Sequence, residues 1–137
     1  KHGYNQYEIS NFSKQGFESR HNLKYWNCEE YLGIGSSAHS FIDGKRFYCE
    51  KRTDKFVCVP DGEGGDFSEY AMLKLRLKQG ITEAETESRF SHPIPQKMRR
   101  EAEFLQKNGL VISDSEGIRL TRNGFLLSNT VISRLIY

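Results

Sequence analysis

A histidine, an asparagine, a tyrosine and a tryptophan fall within six residues, His21-Asn22-Leu23-Lys24-Tyr25-Trp26. Tyr and Trp are large rigid surfaces with one polar handle each, and imidazole is a proton carrier or metal ligand near neutral pH. Such a set would wall a flat aromatic ligand, with His21 as axial ligand or hydrogen-bond donor. The same residues also read as a loop pinned to the core by Trp26, with His21 capping a strand end. Local chemistry leaves both readings open. A second candidate follows in Glu29 to Ser40, read as strand, glycine turn, strand. Gly33 and Gly35 permit backbone geometries closed to other residues and let a ligand approach the main chain, and His39 stands just beyond them. The glycines form neither a dinucleotide fingerprint, lacking the third, nor a Walker A loop. Glu8 and Asn11 near a strand end are a third candidate, because α/β barrels place functional groups there. A solvated strand edge explains them equally well.

Cys28, Cys49 and Cys58 are an odd number at irregular spacing without a CxxC. That speaks against a disulfide framework and against a zinc site, so plain reduced thiols are expected. No iron–sulfur cluster or other metal is expected on this chain alone, since clusters take closely spaced thiolates. The 137 residues suit one domain, or one domain with a small added layer. Hydrophobic residues are 36% and charged residues 28%, which implies a modest core. Lys and Arg number 20 against 18 Asp and Glu, a balance that argues neither for nor against a polyanionic partner. No apolar run approaches membrane-spanning length and no charged-then-apolar leader is present, so a soluble, cytoplasmic protein is expected. The chain opens on Lys1 rather than Met. Lys1 to Tyr4 reads as a helix end entering a strand, with Gly3 as its stop, and a fragment of a longer protein is expected.

The elements that must position these residues can be read in turn. Tyr4 to Phe12 predicts a strand and Ser13 to Arg20 a polar loop. Asp43-Gly44 between aromatic runs predicts a hairpin over Ser40 to Tyr48. Arg52 to Val57 reads as a short helix opened by Thr53 or Asp54, and Pro60 to Gly65 as a flexible linker. From Asp66 the period becomes helical: one helix that Ser68 or Asp66 caps and Gly80 ends, a second from Thr82 towards Phe90, and a third over Gln96 to Asn108 with Pro95 in its first turn. A hairpin joins 110–112 to 117–120, and Thr121 caps a last helix from Arg122 to about Leu135. Leu73, Leu77, Phe104, Leu105, Leu110 and Phe125 are expected to be buried together. The fold class is thus α+β, with a strand, loop and hairpin region over 1–60 and a helical, winged-helix-like unit over 66–137. A winged helix would offer nucleic acid Lys97, Arg99, Arg100, Arg119 and Arg122. Neighbouring Glu83, Glu85, Glu87, Glu101 and Glu103 would repel phosphate, so no nucleic-acid partner is expected. A protein-interaction or cap role is a further reading.

The strings GYNQYEISNF, SRHNLKYW, EYLGIGSSAHS, MLKLRLKQGI and GIRLTRNGFLLSN, in this order, resemble the C-terminal part of the oxygen-independent coproporphyrinogen III oxidase-like proteins. Within that group the resemblance is to the haem-chaperone branch. It implies a radical-SAM parent, an oxidoreductase of the coproporphyrinogen dehydrogenase type, whose barrel carries a CxxxCxxC motif for a [4Fe–4S] cluster and binds S-adenosylmethionine. No such motif stands in this sequence, so the fragment is expected to be inactive alone. It would hold the last barrel strand (Tyr4 to Phe12), the segments covering the barrel mouth, and the C-terminal domain. In the chaperone branch an HNxxYW motif is associated with haem, and here it is His21-Asn22-Leu23-Lys24-Tyr25-Trp26. The oxidase branch has Phe-Gln after the Asn and a GxGxSAIS run approaching a second S-adenosylmethionine. Leu23-Lys24 replaces the former here, and His39 stands where the latter has Ile. The resemblance thus points to haem or porphyrin as partner, with His21, Asn22, Tyr25 and Trp26 as its contacts. Gly33, Gly35 and His39 fall at the cofactor-approaching run.

Overall fold

The Asp43-Gly44 signal is realised directly. In the computed structural model, which describes residues 2–137, β3 (His39–Ile42) and β4 (Lys45–Arg52) pair antiparallel with Ile42 opposite Lys45. Asp43 and Gly44 take φ of +50° and +71°, the double positive geometry that matches the twist of paired strands. β4 then turns at Thr53-Asp54 into β5 (Lys55–Glu63), with Arg52 opposite Lys55. Arg52 to Val57 is therefore strand, turn and strand, not a short helix. Cross-strand pairs such as Tyr48 with Val59 and Lys51 with Phe56 outweigh an isolated capping signal. Pro60 to Glu63 belongs to β5 and is not a free linker. Pro60 is tolerated because β5 is the edge of the three-stranded sheet β3-β4-β5, where one N–H can be spared. An irregularity in register follows immediately, between the Phe47–Pro60 and Lys45–Glu63 pairs.

Tyr4 to Phe12, expected as one strand, is two short ones. β1 (Asn5–Gln6) and β2 (Phe12–Ser13) pair antiparallel, Asn5 opposite Ser13. The chain doubles back between them, with the Tyr7 N–H donating to the Asn11 carbonyl at 3.3 Å. Ser10-Asn11 is thus a turn inside the alternating segment rather than its end. Glu8 forms an isolated bridge with Leu77, and the Lys78 N–H donates to the Tyr7 carbonyl at 3.0 Å. The helix end expected at Lys1 lies outside the described residues.

The remainder is helical around a small sheet. Asp66 caps α2 (Phe67–Lys74), its carboxylate accepting from the Glu69 N–H at 2.7 Å. α2 stops at Lys74 instead of reaching Gly80, because Arg76 and Leu77 donate to the carbonyls three residues back, a tightening that ends α-helix. Gly80 has φ +69°, and a Cβ there would stand 2.1 Å from the Ile118 carbonyl oxygen; glycine is required for that approach. β6 (Ile81–Thr82) follows, then α3 (Glu83–Phe90) capped by Thr82. Pro95 precedes α4 (Gln96–Lys107), and β7 (Val111–Ser113) and β8 (Gly117–Leu120) form the expected hairpin. β6 adds to it through Ile81 opposite Ile118, giving the order β6-β8-β7. The expected last helix is two, α5 (Arg122–Leu126) and α6 (Ser128–Ile136), separated by Leu127 at φ −115°.

The core gathers Tyr70, Leu75, Ile81, Met98, Ala102, Leu105, Ile118, Val131 and Leu135. Along α4, Met98, Ala102 and Leu105 recur at the spacing of one helical face. Phe104 lies off that face and is 48% exposed, under the Arg134 guanidinium 4.4 Å from its ring centre. It is not the core residue expected. Leu73 and Phe125 are buried in that core as anticipated, Leu110 packs half-buried against it, and Leu77 is buried outside the cluster. Among the described residues no helix is long and apolar enough to cross a membrane.

Candidate functional site

Ser19 starts the helix that carries the first candidate set. Its side chain accepts from the Asn22 N–H at 3.3 Å and opens α1 (Arg20–Trp26), a hydroxyl N-cap. The segment is a helix, not the loop its aromatic and polar content suggested. At 3.6 residues per turn, His21, Tyr25, Asn22 and Trp26 share an arc of about 140°. No residue of α1 is buried. His21 and Tyr25 are exposed, while Asn22 and Trp26 are half-buried. The Tyr25 and Trp26 rings meet edge to face at 4.9 Å, and Tyr31 lies 6.2 Å from Tyr25. The Arg76 guanidinium sits 5.7 Å from the centre of the Trp26 ring, a cation on an aromatic face.

Two basic side chains of the helical unit hold the end of α1. Lys74 is buried and donates to Asn27 Oδ1 at 2.7 Å and to Glu85 Oε1 at 2.8 Å. Arg89 donates to the backbone carbonyls of Asn27 at 3.0 Å and Cys28 at 2.5 Å, at the helix end where carbonyl oxygens stay unpaired. Cys28 is buried at φ +52°. Burial, and then the Glu69 carboxylate, push its thiol above the ordinary range, so it is an inert packing group.

The glycine run divides in two. A Cβ on Gly33 would stand 2.2 Å from the His39 carbonyl oxygen, and the Gly33 N–H donates to Ser40 Oγ at 3.0 Å. Its missing side chain therefore lets β3 of this same chain come close, not a ligand. Gly35, at φ +116°, has no atom within 4 Å of where a Cβ would be, and its surroundings are open. His39 makes its contacts within the sheet: its ring lies 5.3 Å from Tyr48 and its Nδ1 is 3.2 Å from the Asp61 carboxylate. Tyr31 ties the two candidate sets together. Its ring approaches Tyr25, its backbone pairs both ways with Phe41 at 2.9 Å, and its hydroxyl accepts from Arg46 at 3.3 Å. Arg46 also pairs with Glu69 at 2.6 Å. Burial works to lower the Arg46 pKa, but Glu69 and Tyr31 outweigh it and hold it above its usual value.

Glu8 is fully buried and not a solvated edge; its Oε2 accepts from the Ser10 N–H at 3.1 Å. Asn11 is exposed in the turn. An open cleft of about 480 Å³ lies beside Cys28, Glu30, Phe41 and Arg89, and none of His21, Asn22, Tyr25 or Trp26 lines it. Tyr31, Lys74, Arg76 and Arg89 were missed from sequence because their partners are distant along the chain. The cations offered to nucleic acid are in part engaged internally. Arg99 pairs with Glu83 at 2.5 Å, Arg119 with Asp114 at 3.0 Å, and Lys97 with the Tyr137 carbonyl.

The family model described as the HemN C-terminal domain matches residues 67–127. The heme chaperone HemW of Lactococcus lactis is 32% identical, over 99% of this chain and 38% of its own length. HemW of Bacillus subtilis is 29% identical, over 98% of this chain and 39% of its own. The chain thus spans under two-fifths of these relatives. Among solved structures, coproporphyrinogen III oxidase (HemN) of Escherichia coli, a radical SAM enzyme, matches with a TM-score of 0.65. It is 16% identical, with 98% of this chain and 37% of that one covered, a likeness of fold. With that domain over α2 to α5, and relatives matched along the whole chain including α1 and the β3-β4-β5 sheet, this chain belongs with the C-terminal part of the HemN-like proteins.

Proposed function

We propose that this chain is the haem-facing part of a radical-SAM protein of the haem-chaperone kind, with α1 as the contact. The observation that carries the reading is the arc of His21, Tyr25, Asn22 and Trp26 on a capped helix that buries none of its residues. His21 would supply the axial imidazole, and Tyr25 and Trp26 the flat apolar wall. Arg20 and Lys24 on one side of the arc, and Arg76 on the other, would meet the porphyrin carboxylates. His39 is the competing ligand, but it is drawn towards Asp61 and Tyr48.

The thiols here do not fit a [4Fe–4S] cluster. Cys28 is buried, and Cys49 and Cys58 adjoin each other, leaving two accessible donors where a CxxxCxxC motif supplies three closely spaced thiolates. Cluster and S-adenosylmethionine chemistry therefore belongs, on this reading, to the part of the relatives' length that this chain does not span. We read β1 and β2 as the edge of that parent's barrel, and residues 66–137 as a winged-helix-like unit with β7–β8 as its wing. Internal pairing of Arg99 and Arg119 supports a packing role for that unit over a nucleic-acid role.

The test is a haem titration followed by absorbance, comparing the unmutated chain with His21→Ala and His39→Ala. Loss of the bound-haem band in His21→Ala, with His39→Ala retained, is expected. Equal binding by all three would show that the motif is structural.

A further inference from the structure

Cys49 of β4 and Cys58 of β5 stand directly opposite each other, their sulfurs 3.2 Å apart. The Cys49 N–H donates to the Ala38 carbonyl at 3.4 Å, and its carbonyl accepts from the Ser37 N–H at 2.7 Å. Both backbone groups of Cys49 thus point towards β3, so Cys49 and Cys58 form a pair without backbone hydrogen bonds between them. Such pairs bring Cα atoms to about 4.5 Å, inside the range of about 4.4 to 6.8 Å that a disulfide spans. Cys58 is exposed and Cys49 half-buried. Lys51 lies two residues along β4, on the same face as Cys49.

We propose that Cys49 and Cys58 are a dithiol modification site that closes to a cross-strand disulfide by exchange with low-molecular-weight disulfides of the glutathione class. Cys58, the more accessible sulfur, loses its proton to solvent and attacks one sulfur of the small disulfide, whose S–S bond breaks. One small thiolate leaves and takes up a proton. Cys49 then loses its proton and attacks the Cys58 sulfur, expelling the second small thiolate, which is protonated in turn. Two protein thiols are oxidised, and one small disulfide is reduced to two thiols. The hydrogen bond to Cys58 holds the Cys49 thiol above its ordinary range, which suits Cys49 to the second, resolving step. Closure locks β4 to β5, and through Ala38 and Ser37 it fixes the run holding Gly35 and His39.

The full chain is equilibrated in buffers of reduced and oxidised glutathione, quenched with acid, alkylated and mapped by mass spectrometry. A Cys49–Cys58 link is expected, favoured about tenfold or more in the native chain over the same chain in denaturing urea, because the fold supplies the effective concentration. Cys28 should be alkylated throughout. Cys49→Ser and Cys58→Ser should each stop at a mixed disulfide with glutathione. A native-to-denatured ratio below about two would overturn the proposal, since the fold would then supply no proximity. So would native chain that accumulates glutathione on Cys58 without closing, or that pairs Cys28.

Discussion

Residues 67–136 and residues 2–63 spend the same apolar side-chain types differently. In the helical unit, Tyr70, Leu75, Ile81 and Ile118 are wholly buried around one core. In the preceding unit, Phe17 is 80% and Ile34 92% exposed, and Phe12, Leu32 and Phe56 are each more than half exposed. Among the described residues before α2, Cys28 and Phe41 are the buried apolar side chains of that core, and half-buried Ile9, Trp26 and Tyr31 pack against it. The first unit is therefore held by pleated backbone pairing and by the cations of Lys74, Arg89 and Arg46, and the second by apolar burial.

The sharpest break of this contrast is Leu105→Ala against Ile34→Ala. Truncating Leu105, 4% exposed, should cost about 2–5 kcal/mol in urea unfolding followed by circular dichroism. Ile34→Ala should stay within about 0.5 kcal/mol. Comparable losses would mean that Ile34 is packed as Leu105 is, and the contrast would fail. A smaller effect should separate the units within one variant. Gly33→Ala drives a methyl against the His39 carbonyl and the Ala38 side chain, at about 1–3 kcal/mol. Hydrogen exchange should quicken at Ser37 to Ser40 and stay unchanged in β8; uniform loss of protection would erase the distinction.

The smallest expected effect is a pH dependence confined to the helical unit. Burial works to raise the Glu83 pKa, but the Ile94 N–H at 2.8 Å and the Arg99 guanidinium outweigh it and hold it below the usual 4.5. A carboxylate depressed on folding contributes stability that is complete above its unfolded value and is lost as pH falls through its folded one. Unfolding midpoints of the unmutated chain should therefore drop more steeply than those of Glu83→Gln below about pH 4.5. Parallel profiles would show that Glu83 is not a coupled group.

What could be read in advance follows the same division. Thr82 and Thr121 cap the helices they were expected to open, and of Ser68 and Asp66 it is Asp66 that caps α2, because a capping side chain acts on N–H groups two or three residues away. The Asp43-Gly44 turn is equally local. β5 was not legible: Pro60 and Gly62 read as breakers, and only pairing with β4 makes Lys55 to Glu63 a strand. α1 was misread because His, Asn, Tyr and Trp are indifferent helix formers, and the Ser19 cap went unweighed. At the candidate site, which residues form the cluster was visible in the motif. The Tyr31 link, the Arg76 cation and the anchoring by Lys74 and Arg89 arise from chain reversals that spacing does not encode.

Pro60 carries a last consequence. With Cys49 directed at β3, Cys58 points its own backbone groups away from β4, and two residues on Pro60 does the same with no hydrogen to offer. Any second chain that tried to extend the sheet along β5 would lose a rung there, just ahead of the irregularity that bends the strand. The exposed margin thus carries its own terminator against fibril-like growth, set beside the aromatic and thiol side chains that would otherwise make it adhesive.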